Sequence, residues 1–319
     1  LFLVPLSFAA AAESFEPKVI YGDDNRVNLN EVTDPALLRA ARSTAALFRS
    51  SNVSRRRLIS RNVSLRLKSY QKELNLCSDE RFVDEFTGAF CSASLVAPDL
   101  VMTAGHCIRS ERDCSNTSIV FDFAITGRGD NTPRSVPASS IYSCKKIVAR
   151  RLDAGEGVDY AVVQLDREVT DRSPLPLARK STLGRGTPLV VIGHPSGLAT
   201  KIAAGAAVRE VRDGYFVANL DTYGGNSGSA VLNATTGEVE GILVRGEMDF
   251  VTRSGPGQSC TVSKRCANGA CRGEDVTLVS ELLEFVPALY SAPSPVAKQG
   301  AAAFPAQKAK AAAPCVVSY

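Results

Sequence analysis

The chain has no tryptophan, two methionines and only two histidines among its 319 residues. Two histidines cannot supply a histidine-rich metal centre. None of the nine cysteines stands in a C-x-x-C pair, so a thiolate zinc site has no scaffold either, and neither a metal nor an organic cofactor is expected. No apolar run reaches the roughly 20 residues that cross a bilayer, which argues against a membrane-bound product. Charge of one sign is also missing. With 37 basic and 33 acidic residues the net charge is +4, too little to draw the chain to nucleic acid or a membrane surface. The one basic run, "RRRLISRNVSLRLK" from Arg55 to Lys68, reads as a solvated face or loop. There is no internal repeat.

What is present fits an exported globular protein. With 45% hydrophobic residues the chain can bury a sizeable core in one large or two modest domains. The opening "LFLVPLSFAAAAES" has the apolar stretch and small-residue ending of a secretory signal over residues 1–12, with cleavage expected near Ala11 or Ala12. Export implies a secreted or periplasmic location, where disulfides persist. Eight cysteines lie in the body of the chain, enough for four bridges, and Cys315 is left over near the end. Residues 13–40 read as an N-terminal or pro-segment, with Asp34 capping a short helix that starts at Pro35. From about Leu65 short apolar runs alternate with turn residues. Examples are "SASLVA", "DLVMTA", "YAVVQL", "TPLVVIG", "SAVLN" and "VEGILVRG". Many short strands without intervening helices predict an all-β sandwich or barrel. "APD" and "NATTGE" read as hairpin turns. Leu278, Val279, Leu282, Leu283 and Val286 recur at helical spacing and predict one closing helix. Residues 291–319, rich in Ala and Pro, read as a tail.

Three motifs carry chemistry. "LVMTAGHC" puts His106 after a strand and beside Cys107, and a bridge from Cys91 to Cys107 would pin that loop. "VDYAVVQLD" puts Asp159 at the head of an apolar strand, where a buried acid is costly unless paired. "DTYGGNSGSAV" puts Ser227 among glycines that let backbone N–H groups turn towards one point. An imidazole that takes the serine proton needs an acid to fix its tautomer and stabilise the imidazolium. Asp153 and Asp166 are rivals by position, but neither leads directly into an apolar strand. The order His106, Asp159, Ser227 differs from the Ser–Asp–His order of α/β-hydrolases.

These motifs in this order resemble the chymotrypsin/trypsin-like serine proteases, and more closely the bacterial glutamyl-endopeptidase-like branch, over roughly residues 19–290. The resemblance implies two antiparallel β-barrels, about 41–170 and 171–290, within a protease domain of 41–290. It implies His106 and Asp159 from the first barrel, Ser227 from the second, and an oxyanion hole of the Gly225 and Ser227 N–H groups. It also implies a monomeric endopeptidase acting on protein or peptide substrates through an acyl-enzyme.

The position before the nucleophile is Asn226, without the charge by which trypsin-type zymogens capture a freed N-terminus. "KVIYGDDNR" resembles the mature start of the glutamyl-endopeptidase branch, so cleavage after Lys18 would leave Val19 first. For the primary pocket the candidates are Asp221, Thr222, Leu243, Arg245 and Gly246. Asp221, six residues before Ser227, favours basic substrates, unless backbone N–H groups satisfy it. Leu243 stands where the glutamate-reading relatives resemble one another in having His, and Arg245 is a rival reader of acidic side chains. His194, in "VIGHPSGLATK", reads as a loop-stabilising residue. Cys114 and Cys144 bracket the run "SIVFDFAI" and form the second expected bridge. The remaining four body cysteines pair in an order the sequence does not give. Two other functions are open: a protease-like binding or regulatory protein without catalysis, and a protease that acts only on its own pro-segment.

Overall fold

The computed structural model describes residues 19–54, 61–153, 157–255 and 258–288. Twelve strands, labelled here in chain order, build two barrels. The first has β1 (Thr44–Arg49), β2 (Cys91–Ala97), β3 (Leu100–Thr103), β4 (Thr117–Val120), β5 (Ile141–Leu152) and β6 (Asp159–Leu165). They close in the order β4-β5-β6-β3-β2-β1. The second has β7 (Pro188–Gly193), β8 (Lys201–Val211), β9 (Tyr215–Ala218), β10 (Ala230–Asn233), β11 (Val239–Arg245) and β12 (Glu274–Leu278). They run β7-β10-β11-β12-β9-β8, and a β7–β8 pairing closes the ring. All these pairings are antiparallel. The fold is chymotrypsin-like, the all-β architecture the sequence predicts.

Strand periodicity explains why both faces of a barrel strand are apolar. Along β1, Ala45 and Leu47 face the core shared by the barrels, while Ala46 and Phe48 pack with Val120, Phe123 and Ile141 in a second cluster. Along β7, Val190 and Ile192 join the shared core, and Leu189 and Val191 join Phe216, Leu243 and Val276 inside the second barrel. A one-residue slip would exchange these sets, so packing fixes the register. The two turns expected from sequence are present: β2–β3 around Pro98–Asp99, and β10–β11, where Asn233 Oδ1 accepts from Thr235 N at 2.9 Å.

The N-terminal segment is threaded into the second barrel. Arg26–Asn28 pairs with Lys201–Ala203 of β8, and Ile20–Tyr21 runs parallel to Arg265–Cys266. The helix Pro35–Arg42 follows, with Asp34 Oδ1 accepting from Ala36 N (2.7 Å) and Leu37 N (3.2 Å). At the other end the sequence expectation needs correction. The closing helix is a seven-residue 3₁₀ segment, Val279–Phe285, and Leu278 belongs to β12. Val279 and Leu282 are its buried residues, three apart, which suits a helix of three residues per turn.

Four disulfides hold the described residues: Cys91–Cys107, Cys114–Cys144, Cys77–Cys260 and Cys266–Cys271. The leader at 1–12, the start of the basic run at 55–60, the tail at 291–319 and Cys315 lie outside the described residues.

Candidate active site

His106 sits in the loop leaving β3, and Asp159 opens β6. The His106 main-chain N–H donates to Asp159 Oδ1 at 3.1 Å, and Nδ1 lies 2.6 Å from Oδ2. Asp159 is 1% exposed, so this two-point contact supplies the partner a buried acid requires. With the proton on Nδ1, the arrangement leaves Nε2 as the ring's acceptor. Gly105 makes the approach possible. A Cβ there would stand 2.5 Å from Arg151 O and 2.9 Å from Asp159 Oδ1. The second barrel steadies the acid, because the Asp159 N–H donates to Thr277 Oγ1 of β12 at 2.9 Å.

Ser227 lies in the loop between β9 and β10. Its Oγ is 3.3 Å from Val244 O, and its main-chain carbonyl accepts from Ser92 N at 2.8 Å. The Cys107 sulfur is 3.7 Å from the same carbonyl. A disulfide sulfur carries no proton, so this is packing. It sets the residue after His106 against the Ser227 backbone. The sulfurs of Cys91 and Cys107 cluster with the His106 ring, but they are spent on each other and offer no thiolate to a metal. Gly225 and Gly228 both have φ +90°, the region that only glycine enters freely. Asn226 Oδ1 accepts from Ser229 Oγ at 3.2 Å, so the position before the nucleophile is held within its own loop.

The pocket candidates separate. Asp221 is 5% exposed, and both its oxygens are engaged: Oδ1 by Tyr21 N (2.8 Å), Oδ2 by Asn25 N (2.9 Å). Burial pushes its carboxyl up to about 7 against the pull of those two donors. Its donors come from the N-terminal segment, 200 and 196 residues away. Leu243 points into the second-barrel core. Arg245 lies 3.7 Å from Asp275, which also pairs with Arg272. Thr222 and Gly246 meet at a residue that sequence reasoning missed, Glu274. The Thr222 hydroxyl donates to Glu274 Oε2 at 3.0 Å, the Glu247 N–H points at Oε1 at 3.4 Å, and a side chain on Gly246 would collide with the carboxylate. Glu274 opens the strand Glu274–Leu278, but Asp275 separates it from the apolar residues, so the signal by which Asp159 stands out is weaker here.

His194 is buried, its Nδ1 is 2.9 Å from Leu198 O, and it stacks on Phe123. Burial depresses it to about 4, so the ring is neutral at neutral pH. It is a structural residue of its loop.

A barrel carrying the His–Asp pair, packed against a barrel carrying the serine loop, defines the chymotrypsin/trypsin-like serine protease class. Residues 91–242 match the family model described as a trypsin-like peptidase domain. Among solved structures the chain is similar to a Glu endopeptidase determined in complex with MPD. Identity is 17%, coverage 84% of this chain and 98% of that one, and the TM-score 0.46. It is similar to the Vibrio cholerae VesB protease at 18%, with coverage of 84% and 67% and a TM-score of 0.47. It is also similar to human heparin binding protein at 15%, with coverage of 81% and 95% and a TM-score of 0.47. No curated protein matches the sequence.

Proposed function

We propose that the protein is a secreted serine endopeptidase that works through an acyl-enzyme. The observation that carries this reading is the buried His106–Asp159 couple, 2.6 Å from ring to carboxylate, on the loop packed against the Ser227 backbone. Four disulfides fit an oxidising, extracytoplasmic location.

In this mechanism His106 Nε2 accepts the Ser227 Oγ proton as Oγ attacks the scissile carbonyl. The carbonyl oxygen takes the negative charge in front of the Gly225 and Ser227 N–H groups. Asp159 holds the ring and offsets the imidazolium charge. When the tetrahedral adduct collapses, the C–N bond breaks and His106 passes its proton to the leaving amine. Water then attacks the acyl-serine: His106 takes one of its protons and passes it to Ser227 Oγ as the C–O bond breaks, and the other proton leaves with the acid product. No cofactor is required.

We read a preference for a basic side chain at the cut site, with Asp221 and Glu274, both buried and both already accepting hydrogen bonds, as the two carboxylates behind it. Maturation after Lys18, releasing residues 1–18, fits the burial of Val19 and the strand that follows it.

The test is digestion of a mixed peptide library by purified protein, with Ser227→Ala as control and cut sites read by mass spectrometry. Cuts after Lys and Arg that vanish in the control support the reading. Glu274→Gln is expected to lower kcat/KM for these peptides at least about tenfold, while a folded, processed sample that cuts nothing overturns the proposal.

A further inference from the structure

The two N–H groups assigned to the oxyanion hole belong to peptides whose carbonyl oxygens are tied elsewhere. In a trans peptide the C=O and the following N–H point in opposite directions, and the described chain has no cis bond. Asn226 O accepts from Ser229 N at 2.8 Å, a bond within the loop that turns the Ser227 N–H the other way. Gly224 O accepts from Ser196 N at 2.6 Å. That long-range bond, from the turn Pro195–Gly197 on the far side of the second barrel's first strand, orients the Gly225 N–H.

Ser196 makes this bond from a conformation a serine adopts at a cost. Its φ is +50° and ψ 23°, the left-handed region, which strains a residue with a Cβ. Three neighbours keep it there. The Thr87 hydroxyl donates to Ser196 O, Tyr70 OH donates to Ser196 Oγ at 3.3 Å, and the next carbonyl, Gly197 O, accepts from Gly88 N at 3.0 Å. The turn also lies flush against the oxyanion residue. A Cβ on Gly225 would stand 2.7 Å from His194 O and 2.8 Å from Gly197 N. Ser92 completes the clamp: its buried hydroxyl donates to Gly225 O at 2.8 Å and accepts from His194 N at 2.9 Å.

We propose that Ser196 is a positioning residue for the oxyanion hole, held left-handed by Thr87 and Tyr70 so that its N–H aims the Gly225 N–H at the reacting carbonyl. It touches no substrate and acts through the Gly224–Gly225 peptide. The inference rests on the serine-endopeptidase reading.

The experiment compares wild type, Ser196→Ala, Ser196→Gly and Thr87→Val on a peptide substrate. It adds a peptidyl boronic acid as transition-state analogue and the corresponding product peptide as ground-state ligand. Losing an oxyanion donor outright costs about 10²–10³ in rate, and a misaimed donor costs part of that. Ser196→Ala and Thr87→Val are expected to lower kcat about tenfold with KM within about twofold. Boronate affinity should fall in parallel while product affinity holds. Ser196→Gly, which enters the left-handed region without strain, should recover most of the loss. Folded Ser196→Ala and Thr87→Val proteins with wild-type kcat and boronate affinity would overturn the proposal. Equal losses for boronate and product would also overturn it, since they indicate a pocket effect. A wild type without Ser227-dependent cleavage would instead bring down the endopeptidase reading beneath it.

Discussion

The two halves of the candidate site are built in different ways. The His106–Asp159 corner is held mostly within its own barrel, by a disulfide between residues 16 apart, a glycine against the acid and a carboxylate 53 residues from its histidine, with one tie to the second barrel at Thr277. The Asp221–Ser229 loop is held mostly by residues of the N-terminal segment and the first barrel. Its anchors are Tyr21 and Asn25 on Asp221, Ser196 on Gly224, Ser92 on Gly225, and Arg26, whose guanidinium stacks 4.0 Å from the Tyr223 ring. The first half is assembled with its own barrel apart from the Thr277 bond. The second depends on a segment that joins only when the whole domain is in place.

The largest effect expected tests the first half. Asp159→Asn should leave the fold intact and lower kcat by about 10⁴, because the amide favours the wrong ring tautomer. Steady-state kinetics, with circular dichroism for the fold, measures it. A loss under tenfold would remove Asp159 from the site. Next, Gly225→Ala places a methyl against His194 O at a φ of +90°. Activity is expected to fall by about 10²–10³, and a Ser227-directed phosphonate should still label the protein slowly. Unchanged activity would free the oxyanion hole from this geometry.

The disulfides sharpen the contrast. In the chain-entropy account a bridge is worth more the longer its loop, about 5 kcal/mol for a separation of 183 residues and about 3 kcal/mol for 16. Removing Cys77–Cys260 should therefore cost more denaturant stability than removing Cys91–Cys107. The order in activity should be reversed, since Cys91–Cys107 pins the histidine loop. If both orders agree, the division between the halves is wrong.

The smallest effect concerns Asp221. An unfolded aspartate titrates near 3.9, and burial holds this one at about 7. Between those values the folded state binds a proton that the unfolded state has released. This group's contribution is therefore full below about pH 4 and lost as pH rises through 7. Asp221→Asn lacks the term, so the Tm of wild type relative to the variant should fall by a few degrees from pH 4.5 to 7.5. A flat difference would mean that the backbone donors keep Asp221 ionised throughout.

The same division explains what could be read in the sequence. Strand alternation, the Asp34–Pro35 helix start, the hairpin turns and the Cys91–Cys107 loop are local, and local patterns are visible in a linear string. The number and spacing of short strands leave a sandwich or a barrel open, and the choice of two barrels comes from the resemblance that the three motifs carry. The partners of Asp221 are not local, so a carboxylate satisfied by Tyr21 and Asn25 cannot be told from a pocket floor by sequence alone. The pairing of Cys77 with Cys260 is equally silent, because four cysteines admit three connectivities. The closing helix was misjudged in type, since Val279 and Leu282 fit both three and 3.6 residues per turn. Glu274 is not marked in the same way, because Asp275 stands between it and the apolar residues of its strand, and the signal that marks Asp159 would mark Asp275 instead.

The pairing of Ile20 with Arg265 and of Tyr21 with Cys266 also governs how the protein is made. This segment finds its partners 245 positions further along the chain, from Ile20 to Arg265 and from Tyr21 to Cys266. It must stay unpaired, with apolar Val19, Ile20 and Tyr21 open to water, until Cys266 has been synthesised. Contacts so distant along the chain slow folding. Synthesis can therefore run well ahead of the final structure, and a Ser227 loop that waits for this strand is assembled among the last parts of the molecule.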